Sequence, residues 1–272
     1  MAALSVLMSV YIKEKPGYVD KCFKSLLDQT VKADEWIVVE DGPLTDDLYG
    51  LLDSYQADNP GLIKRIVLKE NRGLGAALAA GIPECKNDLI ARMDTDDIAR
   101  SDRFEKQLAM FASDPQLDIC GSNIDEFEGD ITNIIASRRV PSCHEDIVKY
   151  QKRRDAFNHM TVMYRKSAVL AAGNYEPCPM MEDTYLWARM VKNGVRCANI
   201  NESLVYVRIG RDMFARRGGW GYFRNYRAGK KKVLQTGFIS RWDYLYTVTL
   251  QFIVAMAPGV IRGLIYKKML HR

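Results

Sequence analysis

Three carboxylates fall within four residues in Met93-Asp94-Thr95-Asp96-Asp97. Such a cluster repels itself unless a cation or a network of donors holds it. A hard divalent ion, Mg²⁺ or Mn²⁺, takes carboxylate and phosphate oxygens and keeps water or substrate in its remaining positions. The competing explanation is structural, since acidic residues also favour the positive end of a helix that follows them. A second acidic pair, Glu182-Asp183, opens the amphipathic stretch Thr184–Lys192. A carboxylate fixed at a helix start can accept a proton from an incoming hydroxyl, or simply complement the helix dipole. Pro177 and Pro179 stiffen the loop that places the pair. Asn71-Arg72-Gly73-Leu74-Gly75 precedes a helical pattern, so its backbone could approach a phosphate or a base. It matches neither the dinucleotide fingerprint nor the Walker pattern, and glycines also serve to start a tightly packed helix. Arg72 adds a cation suited to phosphate or carbonyl oxygens. His159, one of three histidines, is a candidate metal or acceptor contact and equally a candidate structural hydrogen-bonder.

These groups are positioned by an alternation of short apolar runs with helical patterns, the rhythm of βαβ units. Strands are predicted at Leu4–Val10, Trp36–Val39, Ile63–Leu68 and Leu89–Met93. Helices are predicted at Tyr18–Gln29, Thr45–Tyr55, Leu74–Ala80 and Ser101–Ala112, the last with Ser101 as N-cap. Tyr11, Glu40-Asp41-Gly42, Asn71-Arg72-Gly73 and the Asp94 cluster each follow a strand. In a mostly parallel, doubly wound α/β sheet those four ends share one edge, where ligands bind. Ile119–Arg139, with a turn at Gly129-Asp130, reads as antiparallel β structure and implies a smaller antiparallel sheet. Glu182–Lys192 reads as helix and Val195–Val207 as one or two strands.

Charge divides the chain unevenly. From Val205 to Arg272 there are 14 Lys or Arg and two acidic residues, a net of +12, against −7 for the first 204 residues. The basic stretch includes Arg211, Arg216, Arg217, Arg224, Arg227 and Lys230–Lys232, interleaved with Trp220, Tyr222, Phe223 and Tyr226. Nucleic acid, anionic lipid head groups or a diphosphate-linked acceptor would each answer such a mixture. Trp242–Ala257 and Val260–Leu270, broken by Pro258-Gly259, are too interrupted to span a bilayer yet apolar enough to lie in its surface. A helical pair packed on the domain or on a partner subunit is the alternative. The predicted organisation is therefore a catalytic domain over 1–207 and a basic, amphipathic helical tail over 208–272. Six scattered cysteines without CxxC or zinc spacing indicate reduced thiols in a cytosolic protein, and no signal peptide is expected.

The segments SVLMSVYIKE, VVEDGP, NRGLGAAL, ARMDTDDIARSDRFEKQ and MEDTYLWARM resemble the family 2 glycosyltransferases of GT-A fold, in order and spacing over about residues 3–200. The likeness is strongest to the bacterial enzymes that build O-antigen, capsule and exopolysaccharide repeat units. It implies that Tyr11 and Asp41 contact the uracil of a UDP-sugar, Arg72 the base or diphosphate, and Asp94 the ribose. It further implies that Asp96 binds Mn²⁺ or Mg²⁺ and that Asp183 is the catalytic base, with Glu182 supporting it or touching the acceptor. His159 and Asp97 are left as acceptor-side candidates. The chain departs from the family pattern at Ile12, Glu40 and Ala79. It also lacks the C-terminal histidine that some relatives offer to the metal, near which stand Arg208 and Arg211.

The implied activity is inverting transfer of a hexose from UDP-glucose or UDP-galactose to a polyprenyl-diphosphate-linked saccharide. The expected location is the cytoplasmic face of the inner or plasma membrane, held peripherally on an anionic surface, with no nucleic-acid partner. A sugar-phosphate nucleotidylyltransferase would need a Gly-rich, Arg-containing loop where Ser9-Val10-Tyr11-Ile12-Lys13 stands. A non-enzymatic membrane- or nucleic-acid-binding module would account for the tail but leave Asp94, Asp96 and Asp183 without a role.

Overall fold

A computed structural model describes residues 3–210 and 218–258. Arg211, Arg216, Arg217 and the stretch 259–272 lie outside the described residues. The expected α/β architecture is present. Strands β1 (Leu4–Val10), β2 (Glu35–Glu40), β3 (Ile63–Val67) and β4 (Leu89–Arg92) alternate with helices α1 (Pro16–Leu27), α2 (Asp46–Asp58) and α3 (Leu74–Glu84). These four strands are mutually parallel in the order β3-β2-β1-β4.

Both faces of this sheet are covered, so β1 and β2 are buried along nearly their whole length and predominantly apolar rather than alternating. Leu4, Val6, Met8, Trp36 and Val38 pack with Phe23 and Leu26 of α1 and Leu48 and Leu52 of α2. Leu7, Ile37 and Val39 pack on the opposite side, with Ala77, Leu78 and Ile82 of α3. The register aligns the carboxyl ends, because Val10 stands beside Glu40 and Glu40 beside Val67.

The second half of the chain extends the same sheet. After β5 (Ile98–Ala99) and α4 (Arg103–Ser113) come β6 (Leu117–Phe127), β7 (Ile134–Arg138), α5 (His144–Gln151), a 3₁₀ turn (His159–Thr161), β8 (Met163–Arg165), α6 (Lys166–Ala171), α7 (Glu182–Lys192) and β9 (Arg196–Arg208). The antiparallel part expected as a smaller sheet is continuous with the parallel one, in the order β4-β8-β6-β9-β5. β6 is antiparallel to β7 and β8 but parallel to β9. The stretch Val195–Val207, expected as one or two strands, contributes to a single strand, Arg196–Arg208.

Ser101 is not the cap of α4. That helix starts two residues later, after Asp102, and no side chain caps it, because β5 occupies the chain between the acidic cluster and the helix. The tail forms α8 (Gly219–Gln235) and α9 (Arg241–Met256), and Ser240 with Asp243 makes a reciprocal capping box on the latter. Val233 and Ile239 bury themselves against Ala188 of α7, and Asp243 pairs with Arg153 at 2.7 Å. Among the described residues no helix is long and apolar enough to cross a membrane.

Candidate active site

The strand-end loops are tied to each other before any ligand is considered. Asp41 accepts from the backbone N–H groups of Arg72 (2.7 Å) and Gly73 (2.9 Å), so its carboxylate shapes the loop that starts α3. Gly42, at φ +86°, lies so close to this loop that a Cβ would stand 2.5 Å from the Asn71 nitrogen. Only glycine supports both that conformation and that approach. Thr95 donates to the Ser9 carbonyl (3.3 Å), which binds the acidic loop to the end of β1. The result is a cavity of about 330 Å³ lined by Ser9, Tyr11, Glu14, Asp41, Asn71, Gly73, Leu74, Asp94, Thr95 and Asp96. Tyr11, Asp41, Asp94 and Asp96 thus meet in one place. The Arg72 side chain is exposed and does not line the cavity.

The three clustered aspartates are held differently. Asp94 meets the fully buried Arg92 at 3.0 Å and Nε2 of His159 at 3.3 Å. Against the penalty of burial, Arg92 and then His159 hold its carboxyl well below the usual range. Asp97 accepts from the Arg208 backbone N–H (2.9 Å). Burial first, then the charges of Asp96 and Asp94, push its carboxyl well up. Asp96 is raised too, by burial and then by Asp94. Its carboxylate has, among the described residues, no side-chain partner.

No group of three or more His, Cys, Asp or Glu side chains converges to hold a metal among the described residues. A cation of the Mg²⁺ or Mn²⁺ kind needs no such group, since it can be bound by one or two carboxylates with water and phosphate oxygens completing its shell.

A second cavity, about 980 Å³, shares Asp96 with the first. It is lined by Glu126, Arg138, His159, Glu182, Asp183, Trp187 and Arg208, and on the tail side by Tyr222, Asn225 and Tyr226 of α8. Helix α7 is anchored by Trp187, whose ring packs at 5.7–6.4 Å from those of Phe157, Tyr164 and Tyr175. Its first turn carries Asp183, which accepts from the Tyr175 hydroxyl (3.1 Å) and contacts Nδ1 of His159 (2.9 Å). Burial opposes ionisation of Asp183, but Arg92 and His159 outweigh it and lower the pKa. Burial and Arg92 both disfavour a charged His159. Asp183 and Asp94 reverse them and raise its pKa to about 9. Glu182 faces the start of α3, where a Cβ on Gly75 would stand 3.0 Å from Glu182 Cβ. The absence of a side chain at Gly75 thus lets the starts of α3 and α7 pack closely.

The loop before α7 takes a strained turn at Met180 (φ +60°). It is gripped by α8, since Lys232 donates to the Pro177 carbonyl and Cys178 to that of Gly229. Four contributors were not singled out in the sequence: Glu14, Arg92, Arg103 and Tyr175. Glu14 lines the smaller cavity, and burial, aided by Asp96 and Asp94, raises its pKa to about 7. Arg103 is wholly buried and donates to the Arg92 carbonyl at 2.7 Å. A charge inside a strand as apolar as Leu89–Arg92 needs a buried partner, and that was the legible signal for Arg92. Arg208, beside which a metal histidine was sought, stacks on Tyr18 (4.0 Å) and Phe127 (4.6 Å) and donates to the Asp96 carbonyl.

Residues 5–170 match glycosyl transferase family 2. An uncharacterized glycosyltransferase of Haemophilus influenzae is 40% identical over 98% of this chain and 99% of its own. The amylovoran biosynthesis glycosyltransferase AmsE of Erwinia amylovora is 37% identical, covering 97% and 98%. The UDP-Gal:alpha-D-GlcNAc-diphosphoundecaprenol beta-1,3-galactosyltransferase of Escherichia coli is 34% identical, covering 98% and 96%. Among solved structures, the mannosyltransferase PcManGT of Pyrobaculum calidifontis, in complex with GDP-Man and Mn²⁺, superposes with a TM-score of 0.64 at 11% identity, covering 98% of this chain and 75% of its own. S. aureus TarS 1-349 in complex with UDP gives 0.62 at 17%, covering 85% and 65%. These two share the fold. With the sheet, the strand-end acidic loop and relatives aligned along nearly its whole length, the chain belongs to the family 2 glycosyltransferases.

Proposed function

We propose that this protein transfers a hexose, with inversion, from a UDP-sugar to a saccharide carried on a polyprenyl diphosphate. The observation that carries the reading is that Asp96 lines both cavities. The smaller then takes the nucleotide diphosphate and the larger the acceptor, with the sugar passing between them at that carboxylate. In this reading Tyr11 and Asp41, which line the smaller cavity, contact the base, and Asp94, which lines it too, contacts the ribose. Asp96 would hold the Mn²⁺ or Mg²⁺ ion, which when bound neutralises the charge on the departing diphosphate.

Asp183 accepts the proton of the acceptor hydroxyl. As the new C–O bond forms on one face of the anomeric carbon, the bond to the diphosphate breaks on the other. A single displacement of this kind inverts the configuration and needs no second carboxylate as nucleophile. The lipid-diphosphate acceptor is supported by the chemistry named for the E. coli relative, which also favours UDP-galactose as the first donor to try.

The tail, residues 208–272, supports peripheral attachment at the cytoplasmic face of the membrane. Arg224, Arg227, Lys231 and Arg241 are exposed on the described helices. An apolar stripe of Trp242, Leu245, Tyr246, Ile253 and Met256 runs along α9. The deciding experiment is a panel of nucleotide sugars scored for product on a GlcNAc-diphospho-lipid, with and without Mn²⁺, in parallel with Asp183→Asn. That variant is nearly isosteric but far less basic, so it keeps UDP binding and loses turnover. Loss of UDP affinity with normal turnover would move Asp183 to the donor site.

A further inference from the structure

Asp94 and Asp183 sit on separate elements, one at the end of β4 and the other in the first turn of α7. His159 bridges them. Its Nε2 lies 3.3 Å from Asp94 Oδ2 and its Nδ1 lies 2.9 Å from Asp183 Oδ2. Each carboxylate is also held from behind. Arg92, with no exposed surface, pairs with Asp94, and the Tyr175 hydroxyl donates to the other oxygen of Asp183. The ring is mounted rigidly. It stands on the 3₁₀ turn His159–Thr161, where the Thr161 hydroxyl donates to the Asn158 carbonyl (2.8 Å) and accepts from the Ser122 N–H (3.0 Å). The Asn158 amide donates to the Ser122 carbonyl at 2.8 Å, which fixes the turn to β6.

We infer that His159 is a positioning residue for transfer: it aims the Asp183 carboxylate into the acceptor cavity and sets its place relative to the donor-side carboxylate of Asp94. The inference rests on the reading of Asp183 as base and Asp94 as a donor contact. A carboxylate on a helix start is otherwise free to turn about its terminal torsion, which is broad and two-fold. With His159 on one oxygen and Tyr175 on the other, its plane is fixed, and each oxygen keeps a lone pair for the acceptor hydroxyl. The imidazole takes no net part in the proton balance. The proton leaves the acceptor for Asp183, while His159 keeps its bonds on both sides.

The two nitrogens can be tested apart. The amide nitrogen of Asn reproduces the place of Nδ1, and that of Gln the place of Nε2. His159→Gln keeps the Asp94 contact and frees Asp183. Its kcat falls about 10- to 100-fold, the loss expected from a misplacement of the order of 1 Å. Its Kd for UDP, measured by calorimetry on the full chain, stays within about threefold of wild type. His159→Asn keeps the Asp183 contact, so most of kcat survives and the loss appears in the KM for the donor.

Turnover is read with the nucleotide sugar and lipid-diphosphate acceptor that the panel selects. A fully active His159→Gln beside an inactive Asp183→Asn overturns the inference alone. Equal losses of kcat and UDP affinity in both His159 variants overturn it as well, because they mark a general structural role. An active Asp183→Asn overturns instead the base assignment on which the inference stands.

Discussion

Replacing Arg92 with Met removes one charge from a buried pair while leaving a side chain of similar length. The guanidinium has no exposed surface and meets Asp94 at 3.0 Å, and its Nε makes no hydrogen bond among the described residues. Its contribution is therefore mainly the attraction to Asp94. Removing one partner of a buried ion pair costs about 3–5 kcal/mol, because the other charge stays desolvated. The Asp94 side chain keeps 21% exposure and its contact with His159, so the expected cost lies near the lower bound, about 3 kcal/mol. In a protein of this size that corresponds to a fall in Tm of roughly 6–12 °C. The assay is urea denaturation of the full chain without nucleotide or divalent ion, extended to Asp94→Asn and to the double variant. Asp94→Asn in the Arg92→Met background restores most of the loss, since no unpaired charge is left. An Arg92→Met protein within about 0.5 kcal/mol of wild type would refute the reasoning, because surface substitutions without a buried partner fall in that range. So would an Asp94→Asn cost that is the same in both backgrounds.

Other expectations follow from the same site. Asp96→Ala removes divalent-ion dependence and nearly all transfer while leaving the urea midpoint near wild type, because the residue is on a loop; full activity of this variant in chelator would exclude Asp96 as a ligand. His159 has a folded pKa raised to about 9, so its stabilising contribution is complete below its unfolded value of about 6.5 and is lost as pH rises through 9. Urea midpoints should therefore fall across that window in wild type more than in His159→Gln, and parallel profiles would contradict the charge assignment. On the tail, Trp242 (78% exposed) and Ile253 (58%) are changed to Glu rather than α9 deleted, because α9 is tied to the domain through Asp243 and Arg153. The double variant should fold normally and lose binding to anionic vesicles, whose remainder falls with salt at about 1 kcal/mol or less for each basic side chain near the surface. Unchanged vesicle binding would remove the stripe from the membrane contact.

The sequence by itself determined the four parallel strands and the loops at their carboxyl ends. Buried parallel strands require apolar runs, and the polar residues directly after them can only lie at the edge. Leu4–Val10 and Glu182–Lys192 have the bounds their patterns predict. The strand-end placement of Tyr11, Asp41, Asn71 and Asp94 was legible for the same reason, as was the helix start that carries Asp183.

Tertiary structure decided what crosses between elements. β8 runs antiparallel beside β4, with Met163 opposite Ala91, so the turn just before it arrives at the end of β4 where Asp94 stands. No local pattern in Asn158-His159-Met160-Thr161 encodes that arrival; it exists only once β8 is inserted between β4 and β6. The same holds for Tyr175 against Asp183 and for α8 as a wall of the larger cavity. Periodicity reports which face of an element is buried. It carries no information about which distant side chain will meet it there, because that is set by sheet order and register.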